Sequence, residues 1–122
     1  MRLMTLSDTL TVSAQVQPSD LEQLRTKGVT ILVCNRPDAE SQDQPTVEEL
    51  AFTAQRLGID VVSIPFRSGE QTAEQVTEFA ELLNSAQAAG KKVHAYCRTG
   101  NRSTCLWAAA SVSQGIPAEQ VV

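Results

Sequence analysis

Val93-His94-Ala95-Tyr96-Cys97-Arg98-Thr99-Gly100-Asn101-Arg102-Ser103 is the stretch on which the fold turns. Val93 to Tyr96 reads as a strand. A long helix starts near Ser103 and ends before Gly115. A strand that passes through so short a turn into a helix is one unit of a β/α alternation. The rest of the chain keeps that rhythm. Upstream, Thr72 and Gln75 form a capping box for a helix whose Val76, Phe79, Leu83 and Ala86 make one apolar stripe, and Gly90 ends it. Ile59 to Pro65 is a strand, preceded by a helix from the Thr46/Glu49 box to Leu57, with Gly58 as its stop. Asn35 to Pro45 is a polar loop. Val29 to Cys34 is an apolar, β-branched run read as a buried strand. Pro18-Ser19-Asp20 opens a helix through about Lys27, closed by Gly28, and Leu10 to Ala14 alternates as a short strand. Downstream, Pro117 fits the first position of a further short helix. The order β-α-β-α-β-α-β-α predicts a three-layer α/β/α fold, with a parallel sheet between helices. Ligands of such sheets bind beyond the carboxyl ends of the strands, where Cys97 stands.

The bulk numbers suit this reading. The 122 residues fit one domain, 1–122, and the 42% apolar and 20% charged fractions are those of a globular chain. A net charge of −4 and 4% aromatic residues argue against nucleic acid as partner. No apolar run is long enough to cross a bilayer, and no signal peptide is visible. Three cysteines, Cys34, Cys97 and Cys105, are an odd count and point to free thiols in a reducing, cytoplasmic setting. No metal or organic cofactor is implied, since the cysteines and the single histidine lack zinc-ligand spacing. The oligomeric state is not legible.

Each residue type in the loop has a chemical use. A strand-to-helix turn aims successive N–H groups inward and makes an anion nest, reinforced by the helix N-terminus. The same donors favour a thiolate at Cys97. Gly100 permits positive φ and close backbone approach, while Arg98, Thr99 and Asn101 complete the binding turn. The planar fork of Arg102 can hold two oxygens of a tetrahedral oxyanion. Ser103 or Thr104 can cap the helix and donate toward the sulfur.

With these residues quoted, the chain resembles the phosphatase-like domain of the beta-lactamase hydrolase-like proteins. The resemblance rests on Ser13-Ala14-Gln15, Asn35-Arg36-Pro37-Asp38 with Glu40, Gln44-Pro45, Ile64-Pro65, the Cys97–Ser103 loop and Leu106-Trp107, and runs from about Asp8 to Pro117. It implies a fold like that of protein tyrosine and dual-specificity phosphatases, with a four-stranded parallel sheet of order 1-4-2-3, and a phosphocysteine mechanism. Two departures stand out. Those phosphatases place five residues between Cys and Arg. Here four lie between Cys97 and Arg102, a length that resembles the persulfide loop of rhodaneses. They also carry an Asp general acid where this chain has Ser68, after Ile64-Pro65-Phe66-Arg67, and a His where Tyr96 precedes the nucleophile.

Other residues on the same rim admit two readings each. Glu70 is either a displaced general acid or a helix N-terminal carboxylate. Arg36 and Asp38 either meet substrate or pair with each other. Arg67 either attracts an anion or is an ordinary surface Arg, and Arg98 either lines the mouth or faces solvent. His94 reads as a buried or edge histidine. Cys34 is either a small buried hydrophobe or a redox partner for Cys97, because order 1-4-2-3 makes their strands neighbours. Cys105 and Trp107 read as core.

Three functions follow. The first is a cysteine-dependent, phosphatase-like hydrolase acting on phosphoesters through a phosphocysteine at Cys97. The second is a sulfurtransferase carrying a persulfide there. The third is a non-catalytic module for a phosphate- or sulfate-like oxyanion.

Overall fold

The computed structural model describes residues 2–113. Five strands form one sheet: β1 Met4–Thr5, β2 Leu10–Ser13, β3 Val29–Cys34, β4 Asp60–Ser63 and β5 Lys92–Tyr96. Four helices accompany them: α1 Leu21–Thr26, α2 Val47–Arg56, α3 Ala73–Ala88 and α4 Asn101–Ser113. A 3₁₀ turn, Pro18–Asp20, leads into α1. The expected helix at Pro117 lies outside the described residues. No helix among the described residues is long and apolar enough to cross a membrane.

The sheet order is β1-β2-β5-β3-β4. Its four parallel strands, taken in sequence, stand in the expected order 1-4-2-3, but the sheet has a fifth member. The two-residue β1 pairs antiparallel with β2 at the edge. Two residues carry no alternation to read. The turn before β2 is set locally instead: Ser7 Oγ accepts the N–H groups of Thr9 and Leu10 at 3.2 and 3.1 Å.

Side-chain alternation splits the core in two. Leu10, Val12, Val33, Val93 and Ala95 meet Phe79, Ala80 and Ala86 of α3 and Leu106 and Ala110 of α4. Val29, Leu32, Cys34 and Tyr96 meet Leu21 and Leu24 of α1 and Leu50 and Ala54 of α2. Trp107 is partly buried against the first cluster. Cys105, expected in the core, is exposed. Alanines fill much of α4, so its apolar stripe is faint and does not mark which face Cys105 takes.

Helix starts follow the chemistry of orphan N–H groups. At α3, Thr72 and Gln75 exchange both capping bonds, at 3.1 and 3.0 Å. At α2, Thr46 Oγ1 accepts from the Glu49 N–H at 3.0 Å, while the Val47 N–H goes to Asp38 Oδ1 at 3.0 Å. Asp38 therefore caps α2 from across the loop rather than pairing with Arg36.

Register positions the site. Ser13 and Cys34 both stand opposite Tyr96, and Cys34 also stands opposite Ser63. The carboxyl ends of four strands are thus level, and the segments that follow them share one rim. Under that rim His94 is fully buried. Its Nδ1 lies 2.7 Å from Thr11 Oγ1 and its Nε2 2.8 Å from Ser13 Oγ. Ser13 Oγ spends its proton on the Ala14 carbonyl at 2.8 Å, which assigns the ring proton to Nε2. Burial lowers the His94 pKa to about 4.

A histidine whose folded pKa is depressed contributes stability above its unfolded pKa, and that stability is lost as pH falls through the folded value. Unfolding free energy should therefore drop on acidification from pH 6.5 to 4, by on the order of 3 kcal/mol. Denaturant titrations of the parent and of His94→Gln check this, since the variant should lose most of that slope.

Candidate active site

Cys97 continues β5, with its N–H donating to the Ser13 carbonyl at 3.4 Å. The chain then turns at Gly100, which has φ +96° and lies against the Ser13 backbone, where an added Cβ would sit 3.5 Å from the carbonyl carbon and oxygen. This conformation suits glycine and brings the Gly100 N–H to Cys97 Sγ at 3.0 Å. The Gly100 carbonyl accepts from Thr104 N–H and Oγ1, at 3.0 and 2.9 Å, which starts α4. The Asn101 N–H goes to Thr99 Oγ1 at 3.3 Å. The N–H groups of Arg98 and Thr99 meet no protein acceptor among the described residues, so the turn has backbone donors to spare for an anion. Cys97 is buried but belongs to neither core cluster.

Arg102, in the first turn of α4, is 9% exposed and reaches over this rim. Its Nη1 donates to Glu40 Oε2 at 2.8 Å and its Nη2 to Glu40 Oε1 at 2.7 Å. Nη1 also donates to the Phe66 carbonyl at 3.1 Å. Glu40 Oε1 accepts a third bond, from Arg36 Nε at 2.9 Å, and Arg36 Nη1 goes on to Gln15 Oε1 at 2.9 Å. The Arg102 bonds first, and the single Arg36 bond next, hold the Glu40 carboxyl at about 2. Glu40 in turn raises the pKa of Arg102. Nε of Arg102 and the second hydrogen of Nη2 have no acceptor among the described residues. That edge of the guanidinium is available to an oxyanion.

Asn35 ties the strand ends together. Its N–H donates to the Tyr96 carbonyl at 2.9 Å and its Nδ2 to the Ile64 carbonyl at 2.9 Å, while its Oδ1 accepts from Ser103 Oγ at 2.8 Å. Beside it the buried Cys34 donates from Sγ to the Arg36 carbonyl at 3.1 Å and is bonded to the Tyr96 side chain. Burial pushes up the Cys34 thiol and the Tyr96 hydroxyl.

The structure thus brings Cys97, Gly100 and Arg102 together and rearranges several expectations around them. Ser103 gives its one proton to Asn35 Oδ1, which α4 meets on the loop after β3, and so has none left to donate to the sulfur. Arg36 is 6% exposed and turned toward Glu40 and Gln15, which places it behind Arg102 rather than at the surface. Arg98, Thr99 and Asn101 are exposed on the loop, and Arg67 is exposed beside Phe66. Glu70 is exposed too. Its N–H closes a turn on the Arg67 carbonyl at 2.9 Å, and its carboxylate makes no hydrogen bond or ion pair among the described residues. Cys34 and Cys97 are both free thiols, and Cys34 would have to release the Arg36 carbonyl to bond elsewhere. No group of three or more His, Cys, Asp or Glu side chains among the described residues could hold a metal. Glu40, Asn35 and Gln15 had no role in the sequence reading beyond the resemblance. Their only signal was position, one to six residues past the ends of strands.

Comparison with known proteins agrees with this fold. A curated beta-lactamase hydrolase-like protein of Xylella fastidiosa (strain 9a5c) is 23% identical over 115 residues, which are 94% of this chain and 26% of the relative. The chain therefore spans about a quarter of the curated relatives it matches. A crystal structure of a putative phosphatase from Neisseria meningitidis Z2491 superposes with a TM-score of 0.85 at 28% identity, covering 98% of this chain and 82% of that one. Kinase associated phosphatase, crystallised with its catalytic-site cysteine replaced by serine, shares the fold with a TM-score of 0.79 at 20% identity, covering 98% and 77%. Residues 2–115 match the family described as beta-lactamase hydrolase-like protein, phosphatase-like domain, and the chain belongs to that family.

Proposed function

We propose that this phosphatase-like domain hydrolyses phosphoesters with Cys97 as nucleophile. The observation that carries the reading is Arg102. It is gripped along one edge by Glu40 with the other edge uncommitted, on the same turn whose Gly100 N–H reaches the sulfur. In this mechanism the Cys97 thiolate attacks phosphorus and an S–P bond forms. The ester P–O bond breaks, and the leaving oxygen takes a proton from water or an acid. Spare loop amides and the open edge of Arg102 hold the equatorial oxygens. Water then attacks phosphorus, the S–P bond breaks, and phosphate leaves with the thiolate restored. Arg98 and Arg67, exposed near the loop, favour an anionic substrate. Ser68 stands where related phosphatases carry their acid, so aryl phosphates with good leaving groups are the substrates of choice.

The six-residue loop favours a second reading, in which Cys97 takes a sulfane sulfur from thiosulfate and passes it to a thiol. That chemistry needs no strong acid. A third reading, oxyanion binding without turnover, uses the same donors.

Phenyl phosphate should release phenol with the parent chain and not with Cys97→Ser, while thiosulfate should leave the mass of the parent unchanged. A single added sulfur on Cys97 without phenol release would replace hydrolysis by sulfur transfer. Arg102→Lys keeps the charge but loses the fork, so kcat on phenyl phosphate should fall about 10²- to 10³-fold. The sulfur has no exposed surface, so the rim must part for phosphorus to reach it. Iodoacetamide should therefore alkylate Cys97 in the folded protein, more slowly than the exposed Cys105. Peptide mapping that finds Cys97 unmodified until the chain unfolds would remove it as nucleophile.

A further inference from the structure

Arg102 meets a carboxylate from a loop 62 residues earlier, and that carboxylate is itself held. Glu40 accepts from Arg36 Nε, Arg36 is pinned at Nη1 by Gln15, and its carbonyl takes the Cys34 thiol proton. The chain of contacts runs from the strand ends to the guanidinium, and although Asp38, Ala39 and Glu40 lie on an exposed turn, the Glu40 side chain is only a quarter exposed. The Phe66 carbonyl alone, through one hydrogen bond, would fix the distance of Nη1 and leave the guanidinium plane free to turn. Two parallel bonds to one carboxylate fix the plane as well. They also decide which edge is used up. Glu40 takes the Nη1/Nη2 edge and leaves Nε/Nη2. Two guanidiniums against one carboxylate leave the cluster one positive charge in excess, so it still attracts an anion.

We infer that Glu40, backed by Arg36, is a positioning residue that presents the Nε/Nη2 edge of Arg102 to a tetrahedral oxyanion. This rests on the oxyanion-binding reading of the Cys97–Arg102 turn. It assigns Arg36 a role behind Arg102 rather than against substrate. The competing picture is a carboxylate that fills the anion site and must be expelled. The two differ in sign: removing a positioning group weakens anion binding, and removing a plug strengthens it.

The test uses the full chain and inorganic phosphate, measured by calorimetry, together with kcat and KM for phenyl phosphate. Glu40→Ala should weaken phosphate binding and lower kcat/KM, each by about 10- to 100-fold. Glu40→Asp should recover part of both. Arg36→Ala should show a smaller loss, and the double variant should be no worse than Glu40→Ala alone, because both act through Arg102. If Glu40→Ala does not fold, Glu40→Gln carries the comparison, since it keeps the shape and one acceptor but not the charge. A purely structural role would reduce the active fraction and leave phosphate affinity and KM unchanged. That result, or tighter phosphate binding by a folded Glu40 variant, overturns the inference. A parent chain that does not bind phosphate overturns it together with the oxyanion reading. A parent chain that binds phosphate without releasing phenol ends the hydrolysis reading alone, and positioning is then judged on binding.

Discussion

A guanidinium cannot shed its charge within the pH range of a folded protein, so an arginine that is nine-tenths buried needs an anion beside it. Arg102 is such a residue, and the loop between β3 and α2 is shaped to supply the anion. Asn35 fastens the start of that loop to β5 and β4, Asp38 fastens its middle to the N-terminus of α2, and Gln44 Nε2 returns to the Pro37 carbonyl at 2.9 Å. Between these fixed points Glu40 is delivered to Arg102. Removing either partner would strand a charge in a partly desolvated place, which is the expensive way to break such a pair.

The same constraint explains why the site lies where it does. Parallel pairing of β2, β5, β3 and β4 with level ends sets the turns after Ser13, Cys34, Ser63 and Tyr96 side by side. Each turn then gives one element. Gln15 holds Arg36, Asn35 and Glu40 hold Ser103 and Arg102, Phe66 offers its carbonyl, and the turn after β5 carries the sulfur. Sheet register is a backbone property fixed by the apolar pattern on both faces. The geometry of the candidate site is in that sense inherited from the hydrophobic core.

That inheritance marks what sequence alone could show. The four parallel strands and the Cys97–Arg102 turn were legible because each has a local signature: β-branched runs, capping boxes between them, and a glycine where φ must be positive; the strand order came only from the family resemblance. Glu40 had none. Its importance comes from a partner 62 positions away, and only the folded sheet brings the two loops together. Ser103 was misread for a related reason. A hydroxyl two residues from the start of α4 can reach several acceptors, and Asn35 Oδ1, invisible in the linear pattern, won. The antiparallel β1 and the outward face of Cys105 were hidden by brevity and by the alanine content of α4.

What distinguishes phosphorus from sulfur at this site is the proton inventory rather than the cradle. Spare amides and a half-committed guanidinium serve any tetrahedral oxyanion, whether a phosphate ester or thiosulfate. Expelling an alkoxide from phosphorus depends most on an acid nearby, expelling a phenolate less, and expelling sulfite from thiosulfate least. On this rim Glu40 is held at about 2 by two arginines and has no proton to give near neutral pH. Cys34 and Tyr96 are pushed upward by burial and keep theirs, but both are fully buried and Cys34 donates to the Arg36 carbonyl. Glu70 is exposed on the turn after Phe66 and its carboxylate has no protein partner among the described residues. The residues that make the anion site firm are thus the ones that cannot act as its acid. On the proposed hydrolysis reading, that favours substrates whose leaving groups depart most readily.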